Sequence, residues 1–157
     1  MRLRIIVVGK PQREVLSIFV NDYLARLRPI WPTEVVAVAE EKLTAGRDEV
    51  EVLRREAEHI REKLPESWPI VALDRTGRTM DSPAFAAQVR RWQDDGARGV
   101  AFIIGGPIGL DQQLVREATA PALSFGPMTF PHDLALVMLC EQLYRAMTIA
   151  QGWPYHR

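Results

Sequence analysis

The chain has 157 residues, 47% hydrophobic and 25% charged. That is the profile of a globular enzyme and not of a disordered tail, and one domain of this length buries a core without a metal or disulfide staple. Its 20 basic and 20 acidic side chains cancel, which argues against a nucleic-acid partner held by phosphate contacts alone. One cysteine, Cys140, excludes an internal disulfide and a cysteine-based metal cluster. No segment is apolar for long enough to span a bilayer or serve as a secretory signal, so the expected location is the cytoplasm.

In chain order, short β-branched runs alternate with amphipathic stretches. Residues 3–8 read as a strand that stops at Gly9. Residues 11–28 read as a helix with Val15, Leu16, Phe19, Tyr23, Leu24 and Leu27 at helical spacing, closed by Pro29. A second strand spans 35–39. A charged helix follows over 48–64, with Val52, Leu53, Ala57, Ile60 and Leu64 inward, ended by Pro65. The third strand is 70–73, and Asp74, Arg75, Thr76 and Gly77 read as a turn. Asp81, Ser82 and Pro83 open a helix that runs to about 95.

Residues 100–104 are continuously apolar, as in a parallel strand covered on both faces. A helix over 111–119, a short strand over 122–125 and a long helix over 132–150 complete the chain. The βαβαβαβαβα order predicts one α/β domain over 1–157, with a mostly parallel sheet flanked by helices.

Two segments at carboxyl ends of predicted strands stand out, because ligands of open α/β sheets bind there. The first is Gly105, Gly106, Pro107, Ile108, Gly109 and Leu110. Its spacing is neither the dinucleotide fingerprint nor a phosphate loop, so it is either a tight turn or a backbone cradle for another ligand. The second is Phe125, Gly126, Pro127, Met128, Thr129 and Phe130, followed by Pro131 and His132. Apolar residues in such a loop either pack into the core or line an apolar pocket that suits an adenine ring.

The last helix is apolar around more than one side. Leu134, Val137, Met138 and Tyr144 form one group; Leu136, Leu139, Leu143, Met147 and Ala150 form another. Such a helix calls for cover by a second copy of the chain. Glu141 and Arg145 are either an i,i+4 pair or members of a site. Cys140 reads as a small buried hydrophobe, and His59 as a solvated surface residue. The tail Trp153, Pro154, Tyr155, His156, Arg157 is either docked for stability or available to stack on and bind bases.

These motifs, Gly105 to Leu110, Met128 to His132, Glu141 to Ala146 and Pro154 to Arg157, together with Val7 to Lys10 and the Leu73-Asp74 strand end, resemble the RlmH family. Its members are small SPOUT-class methyltransferases acting on N3 of a pseudouridine in large-subunit ribosomal RNA. The resemblance implies a carboxyl-terminal trefoil knot, a rare exception to unknotted topology. It also implies a homodimer with S-adenosyl-L-methionine in the knot and a site completed across the interface. Carried onto matching positions, Leu73, Gly105, Phe125, Gly126, Pro127, Met128, Thr129 and Phe130 are the implied cofactor contacts. Glu141, Arg145, Tyr155, His156 and Arg157 are the implied target-nucleotide residues. The chain departs from the family pattern at Leu136, where an arginine is usual.

In this reading His156 or a nearby carboxylate takes the N3 proton, while Arg145 and Arg157 stabilise charge on the base. His132 is assigned a capping and pocket-shaping role. The neutral charge suits a target presented by the assembled ribosome; Arg2, Arg4, Lys10 and Arg13, or Arg90 and Arg91, either meet phosphates or are ordinary solvated charges. The competing readings are a knotted transfer-RNA methyltransferase and a ribosome-associated binding protein without activity. Uptake of labelled methyl and affinity for the donor separate them.

Overall fold

The computed structural model describes residues 1–11, 13–44 and 48–156; Arg157, one of the implied site residues, lies outside them. The β-branched runs form β1 (Arg2–Val8), β2 (Thr33–Val38), β3 (Ile70–Thr79), β4 (Gly99–Ile104) and β5 (Leu123–Ser124). They stand in the order β2-β1-β4-β3-β5, and every pair is parallel. The crossovers are α1 (Glu14–Leu27), α2 (Glu49–Arg61), α3 (Ser82–Asp94) and α4 (Gln112–Glu117), and α5 (His132–Gln151) follows β5.

A strand's side chains alternate between faces, and here each face has its own core. Leu3, Ile5 and Val7 of β1, with Phe102 and Ile104 of β4, pack against Leu24 of α1, Val89 of α3 and Leu139, Leu143 and Met147 of α5. Ile6, Val8 and Ile103 point the other way, onto Ala57 and Ile60 of α2 and Leu114 of α4. All six residues of β4 are buried, which explains its unbroken apolar sequence. Side chains of Asp48, Asp81 and Asp111 accept the backbone N–H groups of Val50, Ala84 and Leu114 at the starts of α2, α3 and α4. Each such cap is worth about 1 kcal/mol.

Three expectations are corrected. The third strand does not end at Leu73. Asp74 Oδ1 accepts from the backbone N (2.8 Å) and the hydroxyl (2.5 Å) of Thr76, so the expected turn chemistry forms. The sheet absorbs it as a register shift, with both Leu73 and Arg78 opposite Leu123. Helix α1 starts at Glu14 and faces inward through Val20, Leu24 and Leu27, while Val15, Ile18 and Phe19 are exposed. His59 is half-buried, its Nδ1 3.3 Å from the Ala39 carbonyl.

Leu136, at the departure from the RlmH pattern, is wholly buried. Cys140 is buried as expected, and burial pushes its thiol up to about 12. Among the described residues no helix is long and apolar enough to cross a membrane.

Leu139 is fully buried in the α5 layer of the larger core. Leu139→Ala is expected to cost about 2–5 kcal/mol, read as a lower chemical denaturation midpoint with an unchanged slope.

Candidate active site

The carboxyl ends of parallel strands share one edge of the sheet, and the bulge of β3 and the loops leaving β4 and β5 meet there. They enclose a cavity of about 1090 Å³. Its lining includes Leu73, Asp74, Arg75 and Thr76 at the bulge of β3, Ile104 at the end of β4 with Gly105 to Leu110 after it, and Phe125, Gly126, Met128, Thr129 and Phe130 after β5. His132, Asp133 and Ala135 of α5, with Arg13 and Glu40, close one side. The two segments that composition singled out therefore face one space.

The β4 turn is tight for a backbone reason. Gly106 and Gly109 bridge each other, and the Gly109 N–H donates to the Gly106 carbonyl at 3.0 Å. A Cβ at Gly105 would overlap the Gly109 carbonyl, so this position admits only glycine without a shift of the turn. The β5 loop is held by Ser124, whose hydroxyl donates toward the carbonyls of Arg75 (3.1 Å) and Gly126 (3.0 Å) and accepts from the Gly126 N–H. One buried serine thus ties the loop after β5 to the bulge in β3.

Charge is distributed unevenly around the cavity. Burial opposes ionisation of Asp74, but the two Thr76 hydrogen bonds, Gln112 and the nearby Arg75 charge together outweigh it and hold the carboxyl below the ordinary aspartate range. His132 is the first residue of α5, and Pro131 occupies the cap position without a side-chain bond. The expected capping role of His132 is therefore corrected, while its place in the pocket wall stands. Its Nε2 is buried with no protein partner. Asp133 is buried, its Oδ2 3.9 Å from Arg13 Nε.

The tail residues gather at the other end of α5. Gly152, in the left-handed conformation (φ 66°), ends the helix and turns the chain back onto it. Tyr155 then lies edge-on to Tyr144 at 4.8 Å between ring centres, with the Arg145 guanidinium 4.8 Å from its own ring centre. Its hydroxyl donates to Glu141 Oε1 at 3.1 Å, and Arg145 Nη2 donates to the same oxygen at 2.5 Å. His156 Nδ1 stands 3.5 Å from Arg145 Nη1. Burial and the Glu141 and Tyr23 contacts push the Tyr155 hydroxyl up, so it remains a donor. Glu141, Arg145, Tyr155 and His156 thus form one cluster, and none of them lines the cavity of its own chain. At 1.5 Å per residue, Glu141 and Arg145 lie roughly 13 and 20 Å along α5 from His132.

Comparison with known proteins decides the family. The model described as "Predicted SPOUT methyltransferase" matches residues 1–156. Over 160 residues the chain is 43% identical to "Ribosomal RNA large subunit methyltransferase H" of Magnetococcus marinus, covering 99% of each chain. The same name is carried by a Gemmatimonas aurantiaca relative, 43% identical over 159 residues and 100% of each chain. The chain belongs to the SPOUT methyltransferase family. A solved Bacillus anthracis structure, named provisionally as an RNA methyltransferase, shares the fold. Its TM-score is 0.54 and its identity 17%, over 98% of this chain and 96% of that one.

Measured against the residues expected of a SPOUT methyltransferase, the cavity gathers Leu73, Gly105, Phe125, Gly126, Met128, Thr129 and Phe130, and leaves Pro127 out of the lining. Sequence reading missed Asp74, Gln112, Glu40 and Asp133 as lining residues. Two of them had a signal: Asp74 ends a strand core, and Asp133 is the second residue of a helix in which the next residues, Leu134 to Cys140, are apolar. Glu40 had none, since it reaches the cavity only because β2 and β1 pair in register from Leu3 to Val8.

Gly105→Ala is expected to displace the glycine turn and lower the melting temperature. A melting temperature unchanged from wild type would show the turn to be looser than described.

Proposed function

We propose that the chain is a single α/β-knot domain, 1–157, with the carboxyl-terminal trefoil knot that its family resemblance implies. We propose further that it acts in the cytoplasm as a homodimer, transferring a methyl group from S-adenosyl-L-methionine to N3 of a pseudouridine in large-subunit ribosomal RNA on the assembled ribosome. The observation that carries this reading is the separation along α5 of a ligand-sized cavity from the Glu141 cluster. A single copy holds the two halves of a site too far apart to work together; two copies can complete each other.

The cavity suits the donor. It is at the upper end of the usual ligand-pocket range, about 300–1,000 Å³, and combines apolar walls with backbone groups that can read the edge of an adenine. Leu73, Gly105, Phe125, Gly126, Met128, Thr129 and Phe130 are the residues that would hold it. When bound, S-adenosyl-L-methionine supplies an electrophilic methyl group on a sulfonium.

Cover for the second copy is available. Leu134, Val137, Met138 and Tyr144 of α5 are only half-buried, and Val15, Ile18 and Phe19 of the adjacent α1 are exposed. An apolar shoulder of this kind supports the homodimer.

The remaining chemistry belongs to the tail. N3 of the target lies between two carbonyls and must lose its proton as the N–C bond forms. Both Glu141 oxygens are already engaged, Oε1 by Arg145 and Tyr155 and Oε2 by Gln142 at 2.6 Å. Glu141 therefore anchors the tail. His156 is exposed beside Arg145, and a neutral imidazole nitrogen can accept a proton, so it is the group assigned to take the N3 proton. Arg145, held in place by Glu141, stabilises negative charge spreading onto the base carbonyls. Oriented cations of this kind contribute about 10²–10³-fold.

Mass spectrometry of ribosomal RNA from cells lacking the protein is expected to show loss of one methyl group from a large-subunit pseudouridine. A methyl group lost from transfer RNA instead would replace this target. Deleting residues 155–157 is expected to abolish transfer while leaving donor affinity intact; unchanged transfer would remove the tail from the mechanism. Arg145→Ala should lower kcat by about 10²-fold or more with little change in donor affinity.

A further inference from the structure

One buried group lies behind the cavity wall and takes no part in the proposed chemistry. Glu56, on the inner face of α2, is 2% exposed, a rare place for a carboxyl without a cation. Its Oε1 accepts the backbone N–H of Glu41 at 3.0 Å. Its Oε2 is buried and has no hydrogen-bond partner. The carboxyl stands directly against the glycine turn: a Cβ built on Gly106 would lie 3.3 Å from Oε2, 3.4 Å from Oε1 and 3.0 Å from Val8 Cγ1. It therefore touches two segments that both contribute to the cavity wall, the one carrying Glu40 and the one carrying Gly105 and Gly106.

We propose that Glu56 is a positioning residue for the donor cavity, clamping the segment after β2 and the glycine turn after β4 into one wall. This assignment rests on the reading of the cavity as the donor site. The clamp differs between protonation states. A carboxylate keeps the Glu41 bond but leaves its charge buried against the uncharged glycine turn, an unfavourable place for it. A carboxylic acid keeps the Glu41 bond on one oxygen and carries no charge.

The surroundings favour the acid form. Burial is the main influence raising the Glu56 carboxyl above its ordinary range, the Glu41 N–H opposes it, Glu40 and Glu41 carboxylates raise it further, and His59 lowers it. Val8 and Gly106, the strand-end residues packed against it, carry no charge. As pH rises through the raised value, the proton leaves, a charge is buried behind the glycine turn and affinity for the donor should fall. Glu56→Gln stays neutral at every pH and keeps the Glu41 bond, because its amide oxygen accepts.

The test is calorimetric titration of S-adenosyl-L-methionine into full-length wild type, Glu56→Gln and Glu56→Ala across a pH series that starts in the ordinary carboxylate range and rises past neutrality. Amide hydrogen exchange on residues 39–44 and 104–110 accompanies it. The expected result is wild-type affinity that declines with rising pH, a flatter profile in Glu56→Gln, and affinity about tenfold weaker in Glu56→Ala with faster exchange in both segments. Glu56→Ala with wild-type affinity and exchange overturns the proposal, as does a pH profile identical in wild type and Glu56→Gln. The second comparison decides alone if Glu56→Ala fails to fold. Wild type with no affinity for the donor at any pH overturns the reading of the cavity itself, and this assignment with it.

Discussion

Everything in the site depends on the parallel pairing of β4 between β1 and β3. The central strand buries all six of its side chains, four of its residues pair with β3 and six with β1, and helices cover both faces. Because the strands run the same way, their carboxyl ends emerge together, and the bulge of β3 and the loops after β4 and β5 have one place to meet. The cavity is a consequence of that common direction.

The walls are then tightened by contacts that add little stability individually but remove freedom from the loops. The Gly105–Gly109 turn closes on its own backbone, Ser124 ties the β5 loop to the β3 bulge, and Glu56 backs the glycine turn from the far side of the sheet. Among the described residues, two buried polar atoms without hydrogen-bond partners, Glu56 Oε2 and His132 Nε2, stand beside this wall. Unpaired buried polar groups cost free energy, and their concentration here rather than in the main core fits a wall shaped for a ligand.

Helix α5 links the cavity to the tail. Its first turn lines the cavity; its buried stripe of Leu136, Leu139, Leu143 and Met147 fills the larger core; its last turns present Glu141 and Arg145 to Tyr155. The stiffness that makes this helix a good core element also holds the cavity and the Glu141 cluster apart.

Much of this was legible in the chain. Hydrophobic period and capping aspartates marked the ten elements, with ends displaced by a few residues; glycine and proline marked the loops that line the cavity; the tail motif carried the family resemblance. The β3 extension was hidden, because Asp74 to Gly77 has turn chemistry and only pairing with β5 turns it into a bulge. Helical spacing grouped Val15 and Phe19 with Leu24 and Leu27, but only Leu24 and Leu27 are buried, since periodicity alone cannot say which apolar residues of a helix meet the sheet. Glu56 lies in the charged 48–64 helix, and nothing in its local pattern distinguishes it from the neighbouring charges, although it is buried. Residue types and spacing thus determined the elements and their likeness to a family, since these depend on neighbours in sequence. The cavity, the buried carboxyl behind it and its distance from the tail were decided only by tertiary packing, because each depends on which distant segments share the sheet's carboxyl edge.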